Sequence, residues 1–110
     1  MSSLRFTLSF LFLALFGMPL LMAADGPTLV IRNHLFEPEE VMAPAGQKFK
    51  LVVRNEDATP EEFESKTLKR EKVVQGHSEI VINLGPLVAG TYDFVGEFHE
   101  ATAKGRLVVR

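Results

Sequence analysis

Glutamates and a histidine near the end of the chain have the chemistry of metal ligands. The stretch Tyr92–His99 reads YDFVGEFH and contains Glu97 and His99, and Glu61 and Glu62 form a second acidic pair upstream. Carboxylate oxygen and imidazole nitrogen suit iron, manganese, zinc and copper(II), whereas copper(I) prefers sulfur. The chain has no cysteine, which excludes a thiolate ligand and a disulfide. These residue types therefore suit hard or borderline metal ions.

The glutamates also have a purely structural explanation. Glu61, Glu62 and Glu64 form a charged run of the kind that borders solvated strand edges and discourages aggregation. Side chains alternate between the two faces of a strand, so Glu61 shares a face with Phe63, opposite Glu62. If Phe63 points into the core, Glu61 lies towards the interior and Glu62 faces solvent.

The histidines are open to a similar alternative. His99 has the alternative role of a capped loop histidine packed against Phe98. His34 and His77 lie in turn contexts, and we expect both at the surface. Met42 offers a thioether, but it lies in a predicted strand, where a core position is the commoner role.

Short alternating segments must position these side chains. Gln47–Asn55 alternates polar and apolar residues, which is typical of a strand with one wet face, and Ser78–Leu84 is a further strand. Lys66–Lys72 is strongly charged, and we expect one helical turn there. Seven or eight short strands between turn signals predict an all-β fold, either a sandwich or a small barrel.

The first residues have the pattern of an export signal. Arg5 precedes the uncharged run Phe6–Phe16, and Leu21–Ala24 offers small residues for cleavage. We therefore predict a signal peptide over residues 1–24, one domain over residues 25–110 and a periplasmic location, with a membrane anchor as the alternative. Cleavage leaves 11 basic and 14 acidic residues, a net charge of −3. This balance does not indicate the basic surface that nucleic-acid binding requires. No basic amphipathic segment predicts membrane binding after cleavage.

Three motifs together resemble the cupredoxins, which are small copper-carrying β-sandwiches, and this resemblance implies a Greek-key β-sandwich of seven or eight short strands. Tyr92–His99 with Lys104-Gly105 resembles the family's Tyr-x-Phe-x-Cys-x-x-His loop, which continues to a methionine and Lys-Gly. Phe36-Glu37-Pro38 resembles its opening hairpin, and Asn55 followed by Glu61-Glu62-Phe63 resembles the segment that carries its first histidine ligand. In this chain Gly96 stands at the cysteine position and Ala103 at the methionine position.

The resemblance implies a metal site that differs from a blue-copper centre. The first-histidine position falls on Glu61 or Glu62, and of the matched ligand positions only His99 keeps an imidazole. The resemblance thus implies Glu61, Glu62, Glu97 and His99 as metal ligands, with iron or copper(II) as the cofactor. It does not decide between Glu61 and Glu62.

A narrower resemblance implies a role in iron uptake. Glu62-Phe63-Glu64 is similar to the Glu-aromatic-Glu segment of the EfeO-type N-terminal cupredoxin domain, and small cupredoxin-like proteins accompany FtrABCD-type ferrous iron uptake systems. The implied function is a periplasmic metal-binding accessory protein whose partners are an inner-membrane iron permease and a periplasmic iron-binding protein. The alternative is a metal-free interaction module that docks the same partners.

An enzymatic role is not expected from these residues. Ferroxidase-like activity needs a redox cycle, which a cysteine-free and largely carboxylate site does not readily supply. Ser65 and Ser78 have no spacing to a histidine that predicts a nucleophile and its base.

Overall fold

Nine strands and one short 3-10 helix form the part of the chain that the computed structural model describes, residues 24–110. The strands are β1 (Ala24–Arg32), β2 (Leu35–Glu37), β3 (Glu40–Ala43), β4 (Phe49–Asn55), β5 (Glu61–Ser65), β6 (Arg70–Val74), β7 (Ser78–Leu84), β8 (Gly90–Gly96) and β9 (Lys104–Val109). The 3-10 helix spans Glu97–His99. The predicted signal peptide, apart from Ala24, lies outside the described residues. Within them, no helix has the length and apolar character needed to cross a membrane.

The strands form two sheets that face each other. One sheet has the order β2-β1-β4-β7, and the other has the order β3-β9-β8-β5-β6. Two pairs are parallel, β1 with β4 and β3 with β9, and the other pairs are antiparallel. The all-β sandwich predicted from the sequence is confirmed, with nine strands among the described residues where seven or eight were expected.

The charged segment after β5 is a hairpin loop rather than a helical turn. The amide of Lys69 donates to the carbonyl of Lys66 at 3.2 Å, and β6 begins at Arg70. β6 pairs with β5 so that Glu64 faces Glu71. The expected helical turn over Lys66–Lys72 is therefore wrong, because strand pairing along β5 determines the backbone there.

Alternating apolar residues fill the space between the sheets. Phe49, Leu51 and Val53 of β4 are buried while their neighbours face outward. Phe36, Phe63 and Phe94 pack together, with ring centroids 5.0–6.4 Å apart. Phe63 is fully buried, and this fixes the orientation of the whole of β5.

Met42 does not belong to this core, contrary to the expectation from its strand position. Its residue is 43% exposed on the outer face of β3, where the Arg110 guanidinium donates to the sulfur at 3.6 Å. The neighbours of Met42 along β3, Val41 and Ala43, are the buried ones. The strand was predicted correctly, but its inward face is the other one.

Several connections meet at one end of the sandwich. The β1–β2 turn, the β4–β5 loop and the 3-10 helix lie there, because β1 and β4 run parallel and β8 runs antiparallel to β5. Phe63 pairs with Gly96. In an antiparallel ladder the residue two before Phe63 must then lie beside the residue two after Gly96, which brings Glu61 next to the 3-10 helix.

Candidate functional site

Glu61, which is buried, and His99, which is partly exposed, form a carboxylate–imidazole pair at this end. Oε2 of Glu61 lies 2.6 Å from Nδ1 of His99, and Oε1 accepts hydrogen bonds from the amides of Glu62 at 3.0 Å and Phe98 at 2.8 Å. The Glu61 side chain is 2% exposed and that of His99 is 28% exposed. When Glu61 is ionised it can only accept, so that Nδ1 of His99 is the donor and Nε2 is the nitrogen left for another partner.

The Glu61 carboxylate fills the space beside Gly96. A Cβ atom at residue 96 would lie 2.6 Å from Cδ of Glu61 and 2.7 Å from Cβ of Ala103, distances that real Cβ atoms do not reach. A cysteine therefore does not fit at residue 96 while Glu61 holds its present position. The loss of the thiolate and the burial of Glu61 are two parts of one packing arrangement, and no blue-copper centre is possible here.

His34 stacks on His99. The ring centroids are 3.6 Å apart and the ring planes lie within 12° of parallel. His34 and Asn33 form the two-residue turn between β1 and β2, with φ angles of 59° and 54°. Two positive φ angles in such a turn favour Asn and Gly, and a histidine there costs about 1–3 kcal/mol of strain. The expected surface position of His34 is thus only half correct, because the residue is partly buried against a second imidazole.

Asp57 and Thr102 hold the backbone of this turn. The Asp57 carboxylate accepts from the amides of Asn33 at 2.7 Å and His34 at 3.0 Å, and the Thr102 hydroxyl donates to the His34 carbonyl at 2.7 Å. Burial alone would raise the pKa of Asp57. The amide hydrogen bonds and the nearby imidazoles of His34 and His99 outweigh it, so the pKa of Asp57 lies below its ordinary value.

A second group of carboxylates lies on the outer face of the β5–β6 sheet. Oxygen atoms of Glu62, Glu71 and Glu97 lie within 4.8 Å of one another, and Glu71 and Glu97 are exposed. A side-chain hydrogen bond with Glu62, desolvation and the charge of Glu62 raise the pKa of Glu97. Desolvation and the charge of Glu97 raise the pKa of Glu64. Negative charge is therefore crowded on this face.

The four residues predicted from the sequence fall into two groups. Glu61 lies with His99 inside the sandwich end, and Glu62 lies with Glu97 outside it. Residues 24–110 contain one set of three or more His, Asp or Glu side chains with ligand atoms this close together, and it is Glu62 with Glu71 and Glu97. The inward Glu61 and outward Glu62 follow the strand alternation expected with a buried Phe63.

Two members of these groups were missed in the sequence. Glu71 was missed because a helical turn was expected over Lys66–Lys72. A β5–β6 hairpin, as found in the structure, places Glu71 opposite Glu64 and close to Glu62. His34 was recognised as a turn residue, but nothing in the local sequence tells that this turn faces His99. That proximity depends on the long-range contacts of Asp57 and Thr102 with the turn.

Solved cupredoxin structures have the same architecture. Auracyanin A, a "blue" copper protein from Chloroflexus aurantiacus, superimposes with a TM-score of 0.67 at 15% identity, over 80% of this chain and 100% of that chain. A purple cupredoxin from Nitrosopumilus maritimus gives 0.60 at 16% identity, over 76% of this chain and 98% of that chain. Amicyanin from Paracoccus versutus gives 0.61 at 17% identity, over 77% and 81%. At these identities the likeness shows the fold.

Sequence comparison identifies the family. The chain is 44% identical to uncharacterized protein RP394 of Rickettsia prowazekii (strain Madrid E) over 81 aligned residues. The aligned residues make up 74% of this chain. The match spans 65% of that relative's length. The family model for the cupredoxin-like domain matches residues 6–109. This chain belongs to the cupredoxin-like domain family.

Proposed function

We propose that this protein is an exported accessory protein that binds a hard or borderline metal ion, iron foremost, on the outer carboxylate group. The observation that carries the proposal is the convergence of Glu62, Glu71 and Glu97 to within 4.8 Å. The raised pKa of Glu97 supports it, because crowded negative charge favours the arrival of either a proton or a cation. Three carboxylates suit iron better than soft copper(I).

Iron uptake is the role that fits this chemistry and the resemblance of Glu62-Phe63-Glu64 to EfeO-type domains. An accessory protein that passes iron onward needs ligands that release it, and an open surface group of carboxylates exchanges ions more readily than an enclosed site. The partners in this proposal are an inner-membrane iron permease and a periplasmic iron-binding protein. The apolar stretch Phe6–Phe16 supports delivery to the periplasm.

Calorimetric titration of the metal-free protein with Fe²⁺ under argon, and then with Fe³⁺ citrate and Zn²⁺, tests the proposal. We expect Fe²⁺ to bind more tightly than about 1 mM, and Glu97→Gln to weaken binding about tenfold or more, as loss of a metal-site group commonly does. Glu79→Gln is the matched control, because Glu79 is an exposed strand glutamate that pairs with Arg54 on the other sheet. Absence of binding, or equal binding in the Glu97→Gln and Glu79→Gln proteins, contradicts the proposal.

Metal-free docking is the second candidate function, and one exposed side chain favours it. Phe98 is 50% exposed on the 3-10 helix, between Glu97 and His99. Exposed aromatic residues are common anchors in protein interfaces. If the wild-type protein binds no Fe²⁺ in the titration and Phe98→Ser still abolishes iron uptake by cells, metal-free docking is the function. If uptake is unchanged, docking through Phe98 is excluded.

A further inference from the structure

We propose that, in the full chain, the end of the sandwich away from Glu61 and His99 docks on the surface of an anionic lipid bilayer. We call this the basal end. It consists of strand ends and the loops between them, residues 24–26, 43–50, 83–91 and 109–110. The inference does not depend on iron binding by the outer carboxylate group.

Strand pairing places the start of the described chain at the basal end. Ala24 of β1 lies opposite Phe49, the first residue of β4. In the other sheet, the first residue of β8, Gly90, lies opposite Val109, near the end of β9. Because β1 begins at Ala24, residues 1–23 join the domain at the basal end.

The chain that joins there has the composition of a membrane-associated segment. It includes the uncharged apolar run Phe6–Phe16, which was interpreted above as part of an export signal, with a membrane anchor as the alternative. An uncleaved export signal and an anchor both hold the following domain at the bilayer. The basal end is then the part of the domain closest to lipid, and even weak contacts suffice, because attachment raises their effective concentration.

The loop between β7 and β8 presents an apolar side chain at this end. Val88 is 78% exposed, whereas the other exposed large apolar residues within 24–110 are 43–50% exposed. The Tyr92 hydroxyl donates to the Val88 carbonyl at 2.7 Å, and the amide of Gly46 donates to the Leu87 carbonyl at 2.9 Å. These bonds hold the loop backbone, so the Val88 side chain faces outward in an ordered loop. Apolar side chains in such a position can enter the boundary between headgroups and acyl chains.

The charges at the basal end suit anionic headgroups. Lys48, Lys50 and Arg110 are exposed there, and Asp25 is the one acidic residue of the segments that form this end. Basic residues close to an anionic bilayer are attracted to it. Carboxylates such as that of Glu97 lie towards the other end, which the same surface repels. Two separate segments supply the basic residues, so no single stretch of the sequence shows a basic patch.

Site-specific fluorescence on the full chain in lipid vesicles tests the proposal. The chain has no cysteine, so each single-cysteine variant carries one polarity-sensitive fluorophore. In vesicles that contain phosphatidylglycerol, the probe on Val88→Cys should emit at shorter wavelength and be protected from acrylamide, an uncharged quencher. Val81→Cys is the matched control, because Val81 is a half-exposed valine on the outer face of β7. Its probe, and a probe on Ala101→Cys at the other end, should remain accessible.

A change of charge tests the role of the headgroups. Lys48 lies beside the start of the loop, since a Cβ atom at Gly85 would be 3.2 Å from its Cα. Lys48→Gln should shift the probe on Val88→Cys about fivefold towards the accessible state, as expected for one basic residue near anionic lipid. Lys66→Gln, which alters an exposed lysine outside the basal end, should have no such effect. Vesicles of phosphatidylcholine alone should protect the probe less.

The outcomes separate this proposal from iron binding. Fe²⁺ titration of Lys48→Gln should match that of the wild-type protein, because the outer carboxylate group is unchanged. Equal quenching of the probes on Val88→Cys and Val81→Cys, or protection of the probe on Ala101→Cys instead, would overturn the docking of the basal end. Protection that is the same in phosphatidylcholine vesicles and in Lys48→Gln would overturn the assignment of an anionic surface.

Discussion

Glu61 and Glu62 are neighbours on one strand, yet they have opposite environments. Glu61 is 1% exposed, and both of its carboxylate oxygens are engaged by amides or by His99. Glu62 points to the outer face, where its carboxylate lies within 4.8 Å of those of Glu71 and Glu97. The inner carboxylate is fully compensated by the protein, whereas the outer ones repel each other. Opposite faces of β5 therefore separate a carboxylate that the protein itself hydrogen-bonds from carboxylates that are crowded together at the surface.

Removal of the inner carboxylate should give the largest effect. Glu61→Ala leaves two amides and Nδ1 of His99 without their acceptor, and each buried donor left unsatisfied costs about 1–3 kcal/mol. Glu62→Ala on the outer face should change the free energy of unfolding by less than about 0.5 kcal/mol. Urea denaturation of the two variants measures the difference. Equal stabilities would show that Glu61 is not the compensated charge described above.

Gly96→Cys tests whether Glu61 occupies the space of a cysteine side chain. The φ angle of residue 96 is −89°, so its backbone accepts any residue and the cost is steric. Crowding against Glu61 and Ala103 should destabilise the protein by about 1–3 kcal/mol.

A double-mutant cycle locates the source of this cost. In a Glu61→Ala background the cysteine gains room, so the two destabilisations should sum to more than the cost of the double variant. Strict additivity in urea denaturation would mean that Gly96 and Glu61 do not compete for one space.

The contrast between the two glutamates also shows how far the sequence leads. Period-two alternation predicted that Glu61 and Glu62 lie on opposite faces of one strand, and the burial of Phe63 in the structure determines that Glu61 is the inward one. The partners of each glutamate were harder to predict, because they come from other elements. Glu71 depends on the hairpin register of β6, and His34 depends on the packing of a turn against a helix some 65 residues away in sequence. Local patterns determine the face of a strand, while long-range packing determines which faces meet.

The stacked imidazoles should add a small stabilisation that a pair of glycine variants can isolate. His34→Gly and His77→Gly both relieve a left-handed backbone and both increase the freedom of the unfolded chain. Only His34→Gly removes a stacked pair, which is worth about 0.5–1.5 kcal/mol for aromatic rings. We therefore expect His34→Gly to be the less stable variant by that amount in urea denaturation. A more stable His34→Gly would mean that the stack contributes nothing in the folded state.

The stability contributions of Glu97 and Asp57 should depend on pH with opposite signs. These should be the smallest of the predicted effects, because both carboxylates are largely solvated. The outer Glu97 has a raised pKa, so the folded protein binds its proton more tightly than the unfolded chain does. Its contribution to stability is present below the ordinary glutamate pKa of 4.5 and is lost as the pH rises through the higher folded value. Glu97→Gln should remove this loss.

Asp57, beside the inner pair, behaves in the opposite way. Its pKa lies below the ordinary value of 3.8, so its contribution is present above that pH and is lost as the pH falls through the lower folded value. Urea midpoints measured from pH 2 to pH 7 test both expectations. In Asp57→Asn the midpoint should fall less as the pH is lowered towards 2. In Glu97→Gln the midpoint should fall less as the pH is raised above 4.5. Both slopes should persist in Glu79→Gln, which alters an exposed carboxylate outside the two regions. If the two variants change the profile in the same pH range and direction, the pKa values of Asp57 and Glu97 are not shifted in opposite directions, and the contrast between the two regions is wrong.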